Sequence, residues 1–223
     1  MLRANNSTAD MLIENNSAGQ SMRIQIKQVA EELLVKHGYR GLSFRQIAEI
    51  LNTTRANLHY HFGSKEGLVE EVLEDYATLT MNRYRDVLTD TTTSLRMKVE
   101  AIIRMNHERY QKYNPDGDHG HPWSLMTRLR SDSDALNDKL RVRLQGVMRE
   151  FEMLVSVGVR AAVQSGELQP DTPQQQIVIQ LVTIIHYAGL VTRDNGKFGR
   201  LTDLWDATLT VIEKAYGRKP KKV

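Results

Sequence analysis

Apolar residues in this chain recur at three- and four-residue steps almost from end to end. That spacing lines up side chains on one face of an α-helix, whose period is 3.6 residues. Strand signals are nearly absent. No Asn-Gly or Asp-Gly pair stands between alternating apolar runs, so hairpins are not expected. The periodicity predicts an all-α chain.

The breaks in the pattern divide it. A first helix is expected over 22–37, with Ile26, Val29, Ala30, Leu33 and Leu34 on one face and Gly38 ending it. Ser43 and Gln46 match a capping box that opens a second helix, whose apolar face is Phe44, Ile47, Ala48 and Leu51. Asn52 and Thr53 make a tight turn, because Asn tolerates a left-handed backbone. Thr54 caps a short third helix over 55–62, and Gly63 and Ser64 lead into a fourth that continues to about Leu88. Further helices are expected from Ser94 to Tyr113, Pro122 to Arg130, Asp134 to Gln164, Pro173 to Thr192 and Leu201 to Tyr216.

Composition narrows the class. The 223 residues contain no cysteine, which excludes disulfides, thiolate metal sites and a cysteine nucleophile. No apolar run approaches the ~20 residues needed to span a bilayer, so a membrane is not an expected partner. Residues 1–20 lack the basic start and apolar stretch of a secretion signal. They read as a disordered tail, with Arg3 as its single basic residue. A basic tail is expected at 218–223. The net charge of +3 is uninformative until it is resolved along the chain. Ser21 to Gly67 holds Arg23, Lys27, Lys36, Arg40, Arg45, Arg55 and Lys65 against Glu31, Glu32, Glu49 and Glu66. The excess of basic residues thus lies in about a fifth of the chain, the footprint of a polyanion-binding segment.

Two short helices around a turn of a few residues, within 43–62, have the spacing of a helix-turn-helix. Ala48 is small where the helices cross. Ile47, Leu51, Leu58 and Phe62 can share a core with Leu33 and Leu34. The third helix then projects Arg55, Ala56, Asn57, His59 and Tyr60 outward, as a recognition helix does in a major groove.

The segment GYRGLSFRQIAEILNTTRANLHYHFGSKEGLVEEVL, from Gly38 to Leu73, resembles the DNA-binding signature of TetR-type transcriptional regulators. The recurring elements stand here as Gly41, Ser43, Ile47-Ala48, Asn52, Leu58-His59, His61-Phe62 and Ser64-Lys65-Glu66. The chain departs in having Asn52 for the usual turn Gly, Thr53 for an apolar residue and His59 for the usual Tyr. The resemblance implies a dimer that binds a double-stranded DNA operator and a C-terminal helical domain that senses a ligand and dimerises. By position, Arg55 is the candidate for base reading. Arg45 can reach a base or a phosphate, Ala56 a thymine methyl, and His59 either a base edge or a phosphate. Asn57, Tyr60, His61 and Lys65 are candidate phosphate clamps, with Ser43 and Thr54 offering hydroxyl and backbone donors.

The expected architecture is therefore an N-terminal three-helix DNA-binding domain over 21–67 and a C-terminal helical ligand-binding and dimerisation domain over 68–217. Asn106, His107, Tyr110, Trp123, Met126, Phe151, His186 and Tyr187 form a polar-aromatic set suited to an effector cavity, with Trp123 foremost. The effector is an unidentified small molecule, and the homodimer is expected to use the last two helices. No catalytic residue and no cofactor is assigned. A cytoplasmic regulator, released from a palindromic operator by its ligand, is the resulting expectation. Two rival readings are a helical metal-binding enzyme, using His119, His121 and His107 with Asp116 and Asp118, and an interaction protein that ignores DNA. The metal reading lacks any helical HExxH-like spacing.

Overall fold

The computed structural model describes the backbone of residues 6–117 and 119–218 and the side chains from Gln20 onward. The described residues form nine α-helices and no strand, so the fold is all-α. They fall into two compact units, Met1–Glu74 and Asp75–Val223. The division lies slightly beyond Gly67, the boundary expected from the sequence.

In the first unit, α1 (Asn6–Gly41) precedes α2 (Phe44–Ile50), α3 (Arg55–Phe62) and the start of α4 (Lys65–Thr89). Helix α1 starts at Asn6, not near Met22, so helix replaces the expected disorder from that residue on. Asn, Ser and Thr cost only up to ~0.7 kcal/mol each in a helix relative to Ala, and no proline interrupts the segment, so an anchored helix can extend back through it. Residues 1–5 lie outside the described residues. Gly38 breaks α1 with φ 76° and ψ −178°, as its position predicted. Ile26, Ala30, Leu33 and Leu34 are buried, together with Ile47, Leu58 and Phe62. Leu51 is half-buried rather than a core residue.

In the second unit, the rest of α4 is followed by α5 (Leu95–Tyr113), α6 (Leu125–Ser131), α7 (Asp138–Gln164), α8 (Gln174–Asp194) and α9 (Gly199–Tyr216). Helix α8 is central: α6, α7 and α9 all pack on it, and α5 packs on α7 and α9. Four starts differ from expectation; α9 begins two residues early, at Gly199, and the other three have local causes. Helix α6 begins after Ser124, whose hydroxyl accepts from Thr127 N at 3.2 Å, so Pro122 lies outside it. Helix α7 begins after Asn137, whose side chain accepts from Leu140 N at 2.8 Å; a 3₁₀ turn, Ser133–Ala135, occupies the residues before it. At α8 the Thr172 hydroxyl donates back to Gln169 O at 2.5 Å instead of capping, and Pro173 takes the cap position. At α6, α7 and α8 a nearer side chain satisfies the orphan N–H groups, or the capping hydroxyl finds another acceptor.

Helix α8 has the length and hydropathy of a membrane span, with a mean hydropathy of 1.3 over its most apolar window. Its packing against three helices gives that apolar content another use. The Thr-rich loop after α4 is held by Lys98, which is buried. Its Nζ donates to Thr93 O and Thr93 Oγ1 at 2.9 Å each and to Asp90 O. After α9, Arg218 N donates to Glu167 O at 3.1 Å; the remaining residues of the expected basic tail lie outside the described residues.

Candidate nucleic-acid interface

The turn between α2 and α3 is a Schellman motif built on asparagine. Thr53 N donates to Ala48 O at 2.9 Å and Asn52 N to Glu49 O at 3.4 Å, which satisfies the last carbonyls of α2. Asn52 adopts φ 49°, the one positive φ outside glycine among the described residues. Ser43 caps α2 as expected, with Gln46 N donating to Ser43 Oγ at 3.3 Å, but the reciprocal half of the capping box is not made: Gln46 Oε1 accepts from the Ser43 hydroxyl at 3.0 Å instead of from the Ser43 backbone N–H. The Ser43 hydroxyl proton is thus committed to the Gln46 side chain. Thr54 caps α3 by accepting from Asn57 N at 3.2 Å.

With its ends fixed and Leu58 and Phe62 buried, α3 turns a polar face outward. Arg55, Ala56, His59 and Tyr60 are all exposed, Tyr60 to 85 %. Tyr60 is therefore no core aromatic. Arg55 makes no ion pair or hydrogen bond with any described residue. It shares one open groove with Arg45, Ala48, Glu49, Asn52 and Thr53. Arg45 is exposed but paired, its Nε 2.8 Å from Glu49 Oε1 one turn on. Such an exposed pair is worth little and breaks readily for a stronger anion.

Three candidates are more tied down than their sequence positions suggest. Asn57 donates its amide to Thr53 Oγ1 at 3.0 Å, closing the turn from inside. His61 is half-buried, edge-on to Tyr60, and its carbonyl accepts from Arg23. His59 packs edge-on against Phe44, with ring centroids 4.8 Å apart, and its Nδ1 lies 2.9 Å from Gly63 O. A carbonyl can only accept, so Nδ1 carries the proton. In the neutral ring Nε2 therefore keeps its lone pair.

Two residues absent from the sequence-derived set hold this surface in place. Arg23 on α1 donates to the His61 carbonyl, pairs with Glu71 of α4 and lies 4.6 Å from the Phe62 ring centre. Tyr39 donates to Glu66 at 2.9 Å, while the Lys65 ammonium sits 4.2 Å above its ring. Burial first, then the Glu66 hydrogen bond, pushes the Tyr39 hydroxyl up to about 12. The Glu66 carboxyl is held low by its own backbone N–H and then by Tyr39. Lys65 is thus a positioned cation, not a loose one.

The second unit holds a separate cavity. Of the effector candidates, Asn106, Trp123, Met126, Phe151 and His186 line it. The other three do not. Tyr110 is buried between Trp123 and Phe198. His107 packs on Phe198 at 4.6 Å. Tyr187 is 48 % exposed, with the Arg130 guanidinium 5.2 Å from its ring centre. Helical periodicity alone does not separate these neighbouring faces. Trp123 is a fixed wall, its indole N–H donating to Thr192 Oγ1 at 2.7 Å. Burial first and the Arg130 charge second lower the His186 imidazole to about 4, so it is neutral near pH 7. Among the described residues no three His, Asp or Glu side chains gather as a metal site; Asp118 lies outside them.

Two family models match the chain. Residues 26–72 match bacterial regulatory proteins of the tetR family, and residues 125–204 match the tetracyclin repressor-like C-terminal domain. The transcriptional repressor KstR2 of Mycolicibacterium smegmatis is 32% identical over 98 residues, 44% of this chain and 47% of the repressor. The match therefore spans about half the length of that relative. The regulator UidR of Escherichia coli K12 is 21% identical over 161 residues, 72% of this chain and 76% of the regulator. Among solved structures, a TetR-family regulator from Agrobacterium tumefaciens superposes with a TM-score of 0.77 at 18% identity. That superposition covers 87% of this chain and 98% of the other, a likeness of fold.

Proposed function

The chain belongs to the tetR family of bacterial regulatory proteins, and from that premise we propose that it is a homodimeric, sequence-specific DNA-binding repressor that a small molecule releases from a palindromic operator. One observation carries this reading: α3 is capped at Thr54, anchored by buried Leu58 and Phe62, and presents Arg55, Ala56, His59 and Tyr60 on an open face. Arg55 has no internal partner to give up, and its guanidinium can fork onto guanine O6 and N7. Arg45, Tyr60 and Lys65 supply phosphate contacts, which set register without reading sequence. Ser43 and Asn57 contribute through the backbone geometry they fix.

Dimerisation through α8 and α9 accounts for their exposed apolar residues, Ile179 and Tyr187 on α8 and Val211 on α9. A two-fold axis would place the two recognition helices in half-sites about 34 Å apart or a multiple of that. Helix α4 runs unbroken through both units, from Lys65 at the DNA-reading end to Thr89. A ligand that prefers one arrangement of the second unit can therefore act on the first through α4. The coupling required is ~1–3 kcal/mol. The site of action is the cytoplasm, where the chromosome is.

Gel-shift titration against genomic fragments at two salt concentrations tests this. A regulator retains a subset of fragments at the higher salt, with a steep salt dependence from phosphate contacts. Uniform weak binding, or none, at both concentrations overturns the reading.

A further inference from the structure

The cavity of the second unit is small and chemically one-sided. It has about 40 Å³ of free space, room for two or three waters. Phe151, Trp123 and the methionines Met81, Met126 and Met148 make much of its wall. Among the described residues Arg130 is the one charged side chain on that wall, and no carboxylate lines it. One Arg130 N–H is used, with Nη1 donating to the His186 carbonyl at 2.8 Å. The guanidinium has no ion pair with any described residue.

The fully buried side-chain atoms without partners on this wall are nitrogens. Asn106 is 8 % exposed; its Oδ1 accepts from Tyr84 at 3.2 Å, while its Nδ2 has no partner. His186 Nε2 is buried without a partner as well. A buried polar group left without a partner costs ~1–3 kcal/mol, so two on one wall need a reason; Asn106 Nδ2 is a donor, and His186 Nε2 is one in the tautomer that places the ring proton there. The shared remedy is a group rich in lone pairs. Methionines are the wall residues best able to repack around it, since their unbranched chains adapt to irregular shapes.

We propose that this cavity is the effector site and takes an organic carboxylate on a compact apolar ring body. This rests on the reading of the second unit as a sensor. The carboxylate oxygens meet the Arg130 guanidinium, the Asn106 amide and the His186 imidazole. The ring lies against Phe151 and Trp123, and the methionines move aside to admit it. A neutral amide of the same shape satisfies the donors less well and leaves the Arg130 charge uncompensated.

Isothermal titration of the full chain without DNA tests it, with benzoate against benzamide and 1-naphthoate against 1-naphthamide. At least one carboxylate is expected to bind at least tenfold more tightly than its amide. Arg130→Gln should remove most of that margin while leaving the amide's affinity within about twofold. Should Arg130→Gln fail to fold, the carboxylate-to-amide ratio of the unmodified protein decides alone. Equal binding within both pairs, or no binding of any of the four, overturns the inference. A gel shift on the same preparation keeps the two ideas apart. Retained operator binding with no carboxylate preference sinks the effector class only, whereas lost operator binding sinks the regulator reading itself.

Discussion

The two units treat polar groups in opposite ways. In the first, Arg55, His59 and Tyr60 stand in solvent, while caps and the turn satisfy the backbone around them. In the second, Asn106 Nδ2 and His186 Nε2 are turned inward and left without partners. The contrast follows from the partner each suits. A DNA duplex is large, rigid and arrives from outside, so its readers must be exposed on a braced helix. The small molecule proposed for the second unit must be enclosed, so its readers are desolvated before it comes.

Both tryptophans, Trp123 and Trp205, lie in the second unit, so tryptophan fluorescence follows that unit alone. Leu58→Ala should have the largest effect, because Leu58 is fully buried where α3 meets its core. A loss of ~2–5 kcal/mol is expected in helical circular dichroism on denaturation, with operator binding abolished. The tryptophan transition should stay where it was; if it shifted equally, the two units would unfold as one. Next is Arg55→Ala, expected to relax operator preference at a cost of ~1–3 kcal/mol in competitive gel shifts. Lys65→Ala, in contrast, should weaken all sequences alike and reduce the salt slope by about one. A loss of sequence preference in the Lys65 variant would reverse those assignments.

The first unit was the more legible in the sequence. Its signals are local: a capping Ser43 three residues before Gln46, Asn52 at a left-handed turn, Thr54 before α3. Each hydrogen bond closes within a few residues, so spacing alone predicts it. What was missed is long-range. Arg23 reaches Glu71 and the His61 carbonyl, and Tyr39 reaches Glu66. Nothing near Arg23 or Tyr39 in the chain marks those partners. The second unit shows the same limit more strongly. Its helices are legible from their period, and unexpected caps at Ser124 and Asn137 shift the starts of α6 and α7. The cavity needs α4, α5, α6, α7 and α8 together, and Arg130 and Tyr84 enter it from stretches that carry no motif.

Asn52→Ala tests the local side of that contrast. At φ 49° a Cβ without a local hydrogen-bonding group is strained by ~1–2 kcal/mol. The loss should appear in the first unit's circular dichroism transition, and Asn52→Gly should recover most of it. Equal stability of the Ala and Gly variants would mean that the turn does not hold this backbone in solution.

The last effect is read against pH, where only part of it falls inside the usable window, and it belongs to the second unit. The His186 imidazole is lowered from 6.5 to about 4, chiefly by burial and then by Arg130. Between those values the unfolded chain takes up a proton that the folded unit refuses. Stability from this group is therefore complete above about pH 6.5, declines as pH falls, and stops declining below about 4. Carboxylates elsewhere in the chain titrate toward the lower end, so the comparison must be with His186→Gln between pH 7 and 5. The urea midpoint read by tryptophan fluorescence should fall more steeply with pH in the unmodified protein than in that variant. Parallel slopes would mean that His186 reaches solvent freely, and the enclosed character that separates this unit from the DNA-reading one would be lost with it.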